Sequence, residues 1–402
     1  MHEVTHFGAI VLGVSAAFAI AVLSNKISER LRVPTAGFFL LAAALASDIW
    51  PTLGERLSIQ DVERIAVVAL VVILFDGGMR VGWRRFRESA VPIVSLGLVA
   101  TFATAGLMTL AARYFLGFEW QTAALLGAAL APTDPAVMFS VFGRKEVAGR
   151  TGTILEGESG ANDPVGIALM LAAVSLAGDN PSSVGRAVGE FFLELGVGLA
   201  VGILGAAFLF FALRRVVLPN PALYPLRTLA FAGVIYGVAA VAHGSGFLAV
   251  YIAGILIGDT DIPAKRGIER FHTSLASLAE IVVFIGLGLT VDLTQLGDNH
   301  RWLDGLILAA VLAVVARPLA VGPLLVPTNL RRNERLFVMW SGLKGAVPIL
   351  LASFAVLGAV EDAERIYGIV FVVVAFSVVL QGATIPWAAA RLGIPMETTT
   401  PV

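Results

Sequence analysis

The chain is a succession of long apolar runs broken by short polar ones. A transmembrane helix needs about 20 predominantly apolar residues. On that criterion thirteen spans are predicted, near residues 7–23, 33–47, 62–80, 90–115, 120–142, 153–177, 187–213, 226–243, 245–259, 271–291, 301–327, 333–356 and 364–390. The runs at 33–47 and 245–259 are short, whereas those at 90–115 and 187–213 are long enough to tilt. This pattern predicts an all-α, multi-pass membrane protein.

The polar connections carry a second signal, because Lys and Arg concentrate on the cytoplasmic side of a membrane. Basic clusters stand at Lys26/Arg30/Arg32, Arg80/Arg84/Arg85/Arg87, Arg144/Lys145/Arg150, Arg214/Arg215/Arg227, Lys265/Arg266/Arg270 and Arg331/Arg332/Arg335, each in an odd-numbered loop. The even loops hold Arg56, Arg186, Arg301, Arg365 and little else. The alternation places the N-terminus outside and the C-terminus inside, with an odd number of spans. An odd number suits two inverted six-helix halves, residues 1–185 and 215–402, joined by a linker helix over 186–214.

Each half then has an interrupted fifth span. The fifth reads Ala131-Pro132-Thr133-Asp134-Pro135 and the twelfth Gly342-Leu343-Lys344-Gly345-Ala346-Val347-Pro348. Proline removes an amide donor and biases the preceding residue away from α geometry, so both spans are expected to unwind at mid-membrane. Matching breaks in two halves point to a transport site, and here they carry opposite charges.

Composition narrows the class. Of 402 residues, 57% are hydrophobic and 14% charged, with a mean hydropathy of +0.87 and a net charge of -1. A lipid bilayer is the expected surrounding, and nothing basic enough for nucleic acid is present. The absence of cysteine excludes disulfides and thiolate chemistry. The first apolar run follows Met1-His2-Glu3, lacks the basic start of a cleavable signal and reads as retained. Only residues 391–402 follow the last span, so no attached cytoplasmic regulatory domain is expected.

The candidate chemistry lies in the sixth span, at Glu158-Ser159-Gly160-Ala161-Asn162-Asp163-Pro164. A carboxylate at bilayer depth costs about 3 kcal/mol or more, and such residues usually mark an ion or proton path. Four-residue spacing puts Ser159 and Asp163 on one helix face and Glu158 and Asn162 on the next. Asp163 held near Asp134 allows a monovalent cation and protons to compete for the same oxygens. Thr133 and Ser159 add neutral oxygens of the kind that hard cations prefer.

Taken together, these residues resemble the monovalent cation:proton antiporters, specifically the NhaP-like branch related to the animal sodium/proton exchangers. The resemblance covers nearly the whole chain. It rests on Glu158-Ser159 with Asn162-Asp163, on Thr133-Asp134-Pro135, on Phe75-Asp76-Gly77-Gly78 and on Gly342-Leu343-Lys344-Gly345. Leu74 to Met79 and Ser159 to Pro164 look most like the potassium/proton subgroup, which usually carries cytoplasmic regulatory domains.

The resemblance implies the sodium/proton antiporter fold with crossed discontinuous helices. It also implies a homodimer in which a mobile core of spans 4–6 and 11–13 moves against a scaffold of spans 1–3 and 7–10. It makes Asp163 the principal cation- and proton-binding carboxylate, completed by Asp134, Thr133, Ser159 and Asp76 and supported by Asn162. Glu158 is expected to pair with Lys344. Asn162 beside Asp163, in place of two aspartates, implies electroneutral one-for-one exchange of sodium or potassium for protons, with no cofactor beyond the transported ions.

Plainer roles compete at several positions. Lys344 is expected chiefly to neutralise a half-helix end, and Asp134 to do so or to bind the ion. Glu280 and Arg317 are intramembrane charges read as mainly structural, Arg317 either snorkelling or meeting a carboxylate. Glu156 lines an entrance funnel or ends in solvent, and His243, at an outer helix end, is a pH sensor or, more plainly, an interfacial histidine. Two other functions are set against exchange. An intramembrane aspartyl protease would use Asp134 and Asp163 as a dyad, yet it leaves the paired breaks and Lys344 unexplained. A sodium-coupled solute symporter would need a roomier polar pocket.

Overall fold

The computed structural model describes residues 34–50, 57–142, 145–177 and 183–398, together with isolated positions between 8 and 23. The span expected at 7–23 therefore lies outside the described residues, apart from those isolated positions. So do Lys26, Arg30, Arg32, Arg56 and Arg144.

Within the described residues the chain forms α1 (Thr35–Ile49), α2 (Ile59–Glu88), α3 (Ala90–Leu116), α4 (Trp120–Ala129), α5 (Pro135–Ser140), β1 (Lys145–Val147), α6 (Gly149–Ala177) and α7 (Val184–Arg215). It continues through α8 (Leu223–Val241), α9 (Gly246–Gly258), α10 (Lys265–Leu289), α11 (Arg301–Leu325), α12 (Arg332–Trp340), α13 (Ala346–Leu357), α14 (Ala363–Leu392) and β2 (Met396–Thr398). Eight helices, α2, α3, α6, α7, α8, α10, α11 and α14, are long and apolar enough to cross a membrane, while α1, α9 and α13 are shorter apolar helices. The runs predicted at 120–142 and 333–356 are each split, into α4 with α5 and α12 with α13.

Local chemistry explains the starts of several helices. Ser58, Ser183 and Ser245 each accept an amide hydrogen from the residue three positions on, satisfying one of the orphan donors of a first turn. Composition explains placement. The uniformly apolar α9 is buried nearly all round, whereas α7 turns Phe192, Leu193, Leu204 and Phe208 outward, as a helix facing lipid does.

Packing gathers α1, α2 and α7 to α10 into one group and α3 to α6 with α11 to α14 into another. Within the first, α2 and α9 approach backbone to backbone. A Cβ on Gly78 would collide with the Tyr251 carbonyl, and one on Gly254 with that of Phe75. Small residues at such a seam let helices in lipid gain close van der Waals contact. In the second group, α3, α11 and α14 each contain a π turn, at Ser95–Ala100, Leu312–Ala316 and Ser377–Gln381.

Polar contacts tie the helix ends into two opposite faces. On one, Arg150 donates to the Glu88 carbonyl (3.2 Å), Arg84 N to Asp259 (2.6 Å), Arg214 to the Asp261 carbonyl (3.2 Å) and Thr151 to Glu334 (3.2 Å). There β1 pairs antiparallel with β2, Glu146 opposite Glu397. We call this the basic face. On the other, Ser47 donates to the Leu289 carbonyl (2.9 Å), Thr290 and Tyr367 share a hydrogen bond (2.6 Å), and Arg365 pairs with Asp304 (2.9 Å).

The α2/α9 seam yields a stability test. Gly254→Val should cost about 1–3 kcal/mol through overpacking, seen as a lowered melting temperature in detergent; wild-type melting would contradict the close approach.

Candidate functional site

The site begins with the two breaks. After α4 the chain runs through Ala131, Pro132 and Thr133 without helical bonding, and α5 restarts at Pro135 with Asp134 as its N-cap, Oδ1 accepting from Ala136 N at 2.9 Å. A proline at the first helical position has no amide to leave unsatisfied. After α12 the chain crosses at Ser341 to Gly345, and α13 restarts at Ala346. The crossing strands bond directly, Asp134 N donating to the Leu343 carbonyl at 2.8 Å. Gly345 makes this possible, since a Cβ there would fall on the Asp134 carboxylate.

Each break leaves amide groups bare at one half-helix end and carbonyls bare at the other, and in lipid neither can turn to water. Asp134 answers the amide ends, facing the amides of Ala136, Val137 and, from the other half, Ala346. Lys344 answers the carbonyl end of α4, its Nζ donating to Ala131 O (2.9 Å) and Pro132 O (2.7 Å) while only 1% exposed. Lys344 N donates to Ser377 Oγ (2.9 Å) from the π turn of α14, and Gln381 donates to the Trp340 carbonyl (2.8 Å) that ends α12. The opposite charges of the breaks are thus used reciprocally across them.

Helix α6 packs across the first break. Asn162 receives the Thr133 amide (3.3 Å) and donates to Thr133 Oγ1 (2.7 Å), while Ser159 donates to the Thr133 carbonyl. The expected pairing of Glu158 with Lys344 is corrected. Arg317 of α11 holds Glu158 instead, Nη1 on Oε1 and Nη2 3.0 Å from Oε2, with both side chains buried. The physical reason lies in the donors. A planar guanidinium matches a carboxylate with two parallel bonds, whereas an ammonium point charge suits a pair of carbonyl oxygens.

Asp163 is the exception to this saturation. It is 6% exposed, yet its Oδ1 has no hydrogen-bond partner among the described residues. It lines a cavity of about 150 Å³ together with Asp134, Ser159, Asp76 and Tyr251. The structure therefore brings Asp163, Asp134, Ser159 and Asp76 around one space. Asp76 is already engaged, by Arg80 at 2.8 Å and by Thr273 at 3.0 Å. Thr133, Asn162, Glu158 and Lys344 stand behind the wall rather than on it, Thr133 with its oxygens turned to α6.

Three charged residues line the cavity beyond that set. Glu156 opens onto it, as the funnel reading expects, with Arg80 near by. Glu280 of α10, read from the sequence as mainly structural, also lines it. Its signal was a lone acid in an apolar run, four residues beyond Ala276 on the helix face that carries Phe284. His243 is an exposed residue at the end of α8, in the left-handed region with φ 56°. The sequence reading passed over His272, fully buried on α10, bonded to Thr228 at 2.8 Å and packed on the Phe75 ring.

The cavity is polar toward the basic face, where Arg80 and Glu156 stand, and apolar toward the other, where Ala66, Leu70, Val283, Phe284 and Leu350 close over Asp163. Beyond that plug Thr290 and Tyr367 join the two helix groups.

The chain is similar to known proteins. The family model described as "Sodium/hydrogen exchanger, transmembrane" matches residues 13–391. The chain belongs to the sodium/hydrogen exchanger family. It is 37% identical over 402 residues to the K(+)/H(+) antiporter NhaP of Alkalimonas amylolytica, covering 98% of this chain and 69% of that protein. It is 31% identical to the K(+)/H(+) antiporter NhaP2 of Shewanella sp. (strain MR-4), covering 94% of this chain and 66% of that one. The chain thus spans about two thirds of the length of these relatives. Among solved structures it matches the sodium proton antiporter MjNhaP1 from Methanocaldococcus jannaschii with a TM-score of 0.79, at 23% identity and over 98% of this chain and 99% of that one. That likeness establishes the antiporter fold.

The buried pair gives the test of this geometry. Glu158→Gln or Arg317→Met alone should cost about 3–5 kcal/mol by leaving a buried charge uncompensated, and the double variant should recover much of it. Glu158→Gln combined with Lys344→Met should show no such recovery. Melting in detergent checks both, and additivity in the first cycle would mean that Glu158 and Arg317 do not meet.

Proposed function

We propose that this member of the sodium/hydrogen exchanger family exchanges a monovalent cation, sodium or potassium, for protons across the cytoplasmic membrane, by alternating access of a site at Asp163. One observation carries the reading. In a site where Asp134, Lys344, Glu158 and Asn162 are all committed to partners, Asp163 beside the crossing presents a buried, unbonded carboxylate oxygen to the cavity, as Glu156 does from an earlier turn of the same helix. Such an oxygen is stabilised either by a cation or by a proton, and occupation by one excludes the other. Competition of this kind is sufficient for exchange. The names of the relatives, potassium and sodium antiporters alike, agree with the ion class.

The same reading assigns the rest of the chain. Thirteen spans form two inverted halves, 1–185 and 215–402, around a linker helix at 186–214. The breaks at Pro132 and Gly345, and the π turns at Ser95–Ala100 and Leu312–Ala316, fall in corresponding spans of those halves and support the inversion. The group containing α3 to α6 and α11 to α14 is the moving core, the other group the scaffold of a homodimer. The basic face is cytoplasmic, with the N-terminus outside, so the cavity is open inward. Asp134, Ser159 and Asp76 complete the site in front, with Thr133 and Asn162 behind them. One cation displaces one proton at Asp163, and the transport step is electroneutral. A protease dyad is disfavoured because Asp134 spends its oxygens on half-helix amides.

Asp163→Asn keeps the shape of the side chain and removes the titrating charge. Purified and reconstituted, it should fold as the wild type and show no cation-driven proton flux. Wild-type flux in this variant would overturn the assignment. Electroneutrality predicts that the wild-type rate is indifferent to a clamped membrane potential. A net charge moved per cycle would couple to it at about 2.3 kcal/mol per 100 mV, so a rate that follows the imposed potential would refute one-for-one exchange.

A further inference from the structure

Glu280 is the one carboxylate on the α10 wall of the cavity, and its neighbours fix where it points. Thr273, seven residues earlier on α10, donates to Asp76 at 3.0 Å, so that stripe of the helix is turned inward. Ser277, Glu280 and Phe284 continue the stripe at helical spacing, and all three line the cavity. Glu280 lies within electrostatic reach of Asp134 and Arg80. Arg80, the one cation on the cavity wall, is itself engaged by Asp76 at 2.8 Å, so Glu280 has no salt bridge among the described residues. A half-buried carboxylate at bilayer depth without a salt-bridge partner is costly unless the space before it holds positive charge. Across that space lies the unbonded Oδ1 of Asp163.

Helix α10 packs with α1 and α2, whereas Asp163 and Asp134 belong to the other helix group. We propose that Glu280 is a further carboxylate of the cation site, supplied by the scaffold as Asp76 is, which strengthens cation binding only while the site faces the basic side. This rests on the exchange reading above. When the core moves, Asp163 and Asp134 travel together, and Glu280 stays behind with Asp76. The site would therefore hold its cation more tightly when open to the basic face than when open to the other. The two faces would differ in apparent affinity without any change in the ligands of the core.

The test is a comparison of the two faces. Cation-driven proton flux is measured in sealed membrane vesicles of both orientations, with sodium and with potassium as the probe, for wild type, Glu280→Gln and Glu280→Asp. Loss of a charge facing the ion across a partly wet cavity should weaken binding about tenfold. Glu280→Gln should thus raise the cation KM about tenfold from the basic face and less than about twofold from the opposite face. Glu280→Asp keeps the charge and should give a smaller rise, about threefold at most, again from the basic face alone.

A merely structural role would lower the maximal rate or shift both faces alike. An unchanged KM in Glu280→Gln, or an equal rise from both faces in either variant, overturns the proposal. Should Glu280→Gln fail to fold, Glu280→Asp decides by the same criterion, since any shift that it shows must be confined to the basic face. Wild-type vesicles without cation-driven proton flux would refute the exchange reading itself, an outcome distinct from wild-type flux with a symmetric shift.

Discussion

The structure depends on one electrostatic exchange between two broken helices. Interrupting a helix inside a bilayer leaves backbone donors and acceptors with no water to satisfy them, and each such group costs several kcal/mol. Here the carboxylate of Asp134 serves amide ends from both breaks, and the ammonium of Lys344 serves the carbonyl end of α4. The two breaks thus satisfy each other's backbone groups. Gly345 is required by the closeness of this crossing, and Asn162 and Ser159 fasten α6 to it through Thr133.

Function follows from what this arrangement leaves over. With Asp134 and Lys344 neutralising helix ends, and Glu158 held by Arg317, the charges at the crossing are committed, and Asp163 next to it keeps an unbonded oxygen, as does Glu156 nearer the start of α6. On the proposed reading, a saturated frame around the unsatisfied oxygen of Asp163 makes an ion site. It binds whatever positive species reaches it, and it cannot hold a cation and a proton together. The apolar closure by Leu70, Phe284 and Leu350 confines that choice to one side of the membrane at a time.

Much of this was legible in the sequence. Prolines flanking Thr133-Asp134 and glycines flanking Lys344 marked both breaks, and i to i+4 spacing separated the cavity face of α6, with Ser159 and Asp163, from the face carrying Glu158 and Asn162. The role of Lys344 as a helix-end counter-charge was also readable from its place in the break. The partner of Glu158 was not. Arg317 lies 159 positions away in chain order, and it arrives through the packing of α11 on α3, which itself packs on α6, with a π turn just before Arg317. Glu280 and Glu156 were visible as intramembrane acids, but which of them faced the cavity depended on helix rotation, which in α10 is set by the contact of Thr273 with Asp76. The buried His272 carried no pattern that separated it from the apolar residues around it.

Asp163 as the point where cation and proton exclude each other is tested most directly by counting protons released on cation binding. Titration calorimetry of the purified protein, repeated in buffers of different ionisation enthalpy near the midpoint of the competition, gives that count. The account predicts that wild type releases protons as the cation binds, approaching about one per cation as the pH is lowered, and that Asp163→Asn releases none. Cation binding without proton release in the wild type, or the same release after Asp163→Asn, would contradict it.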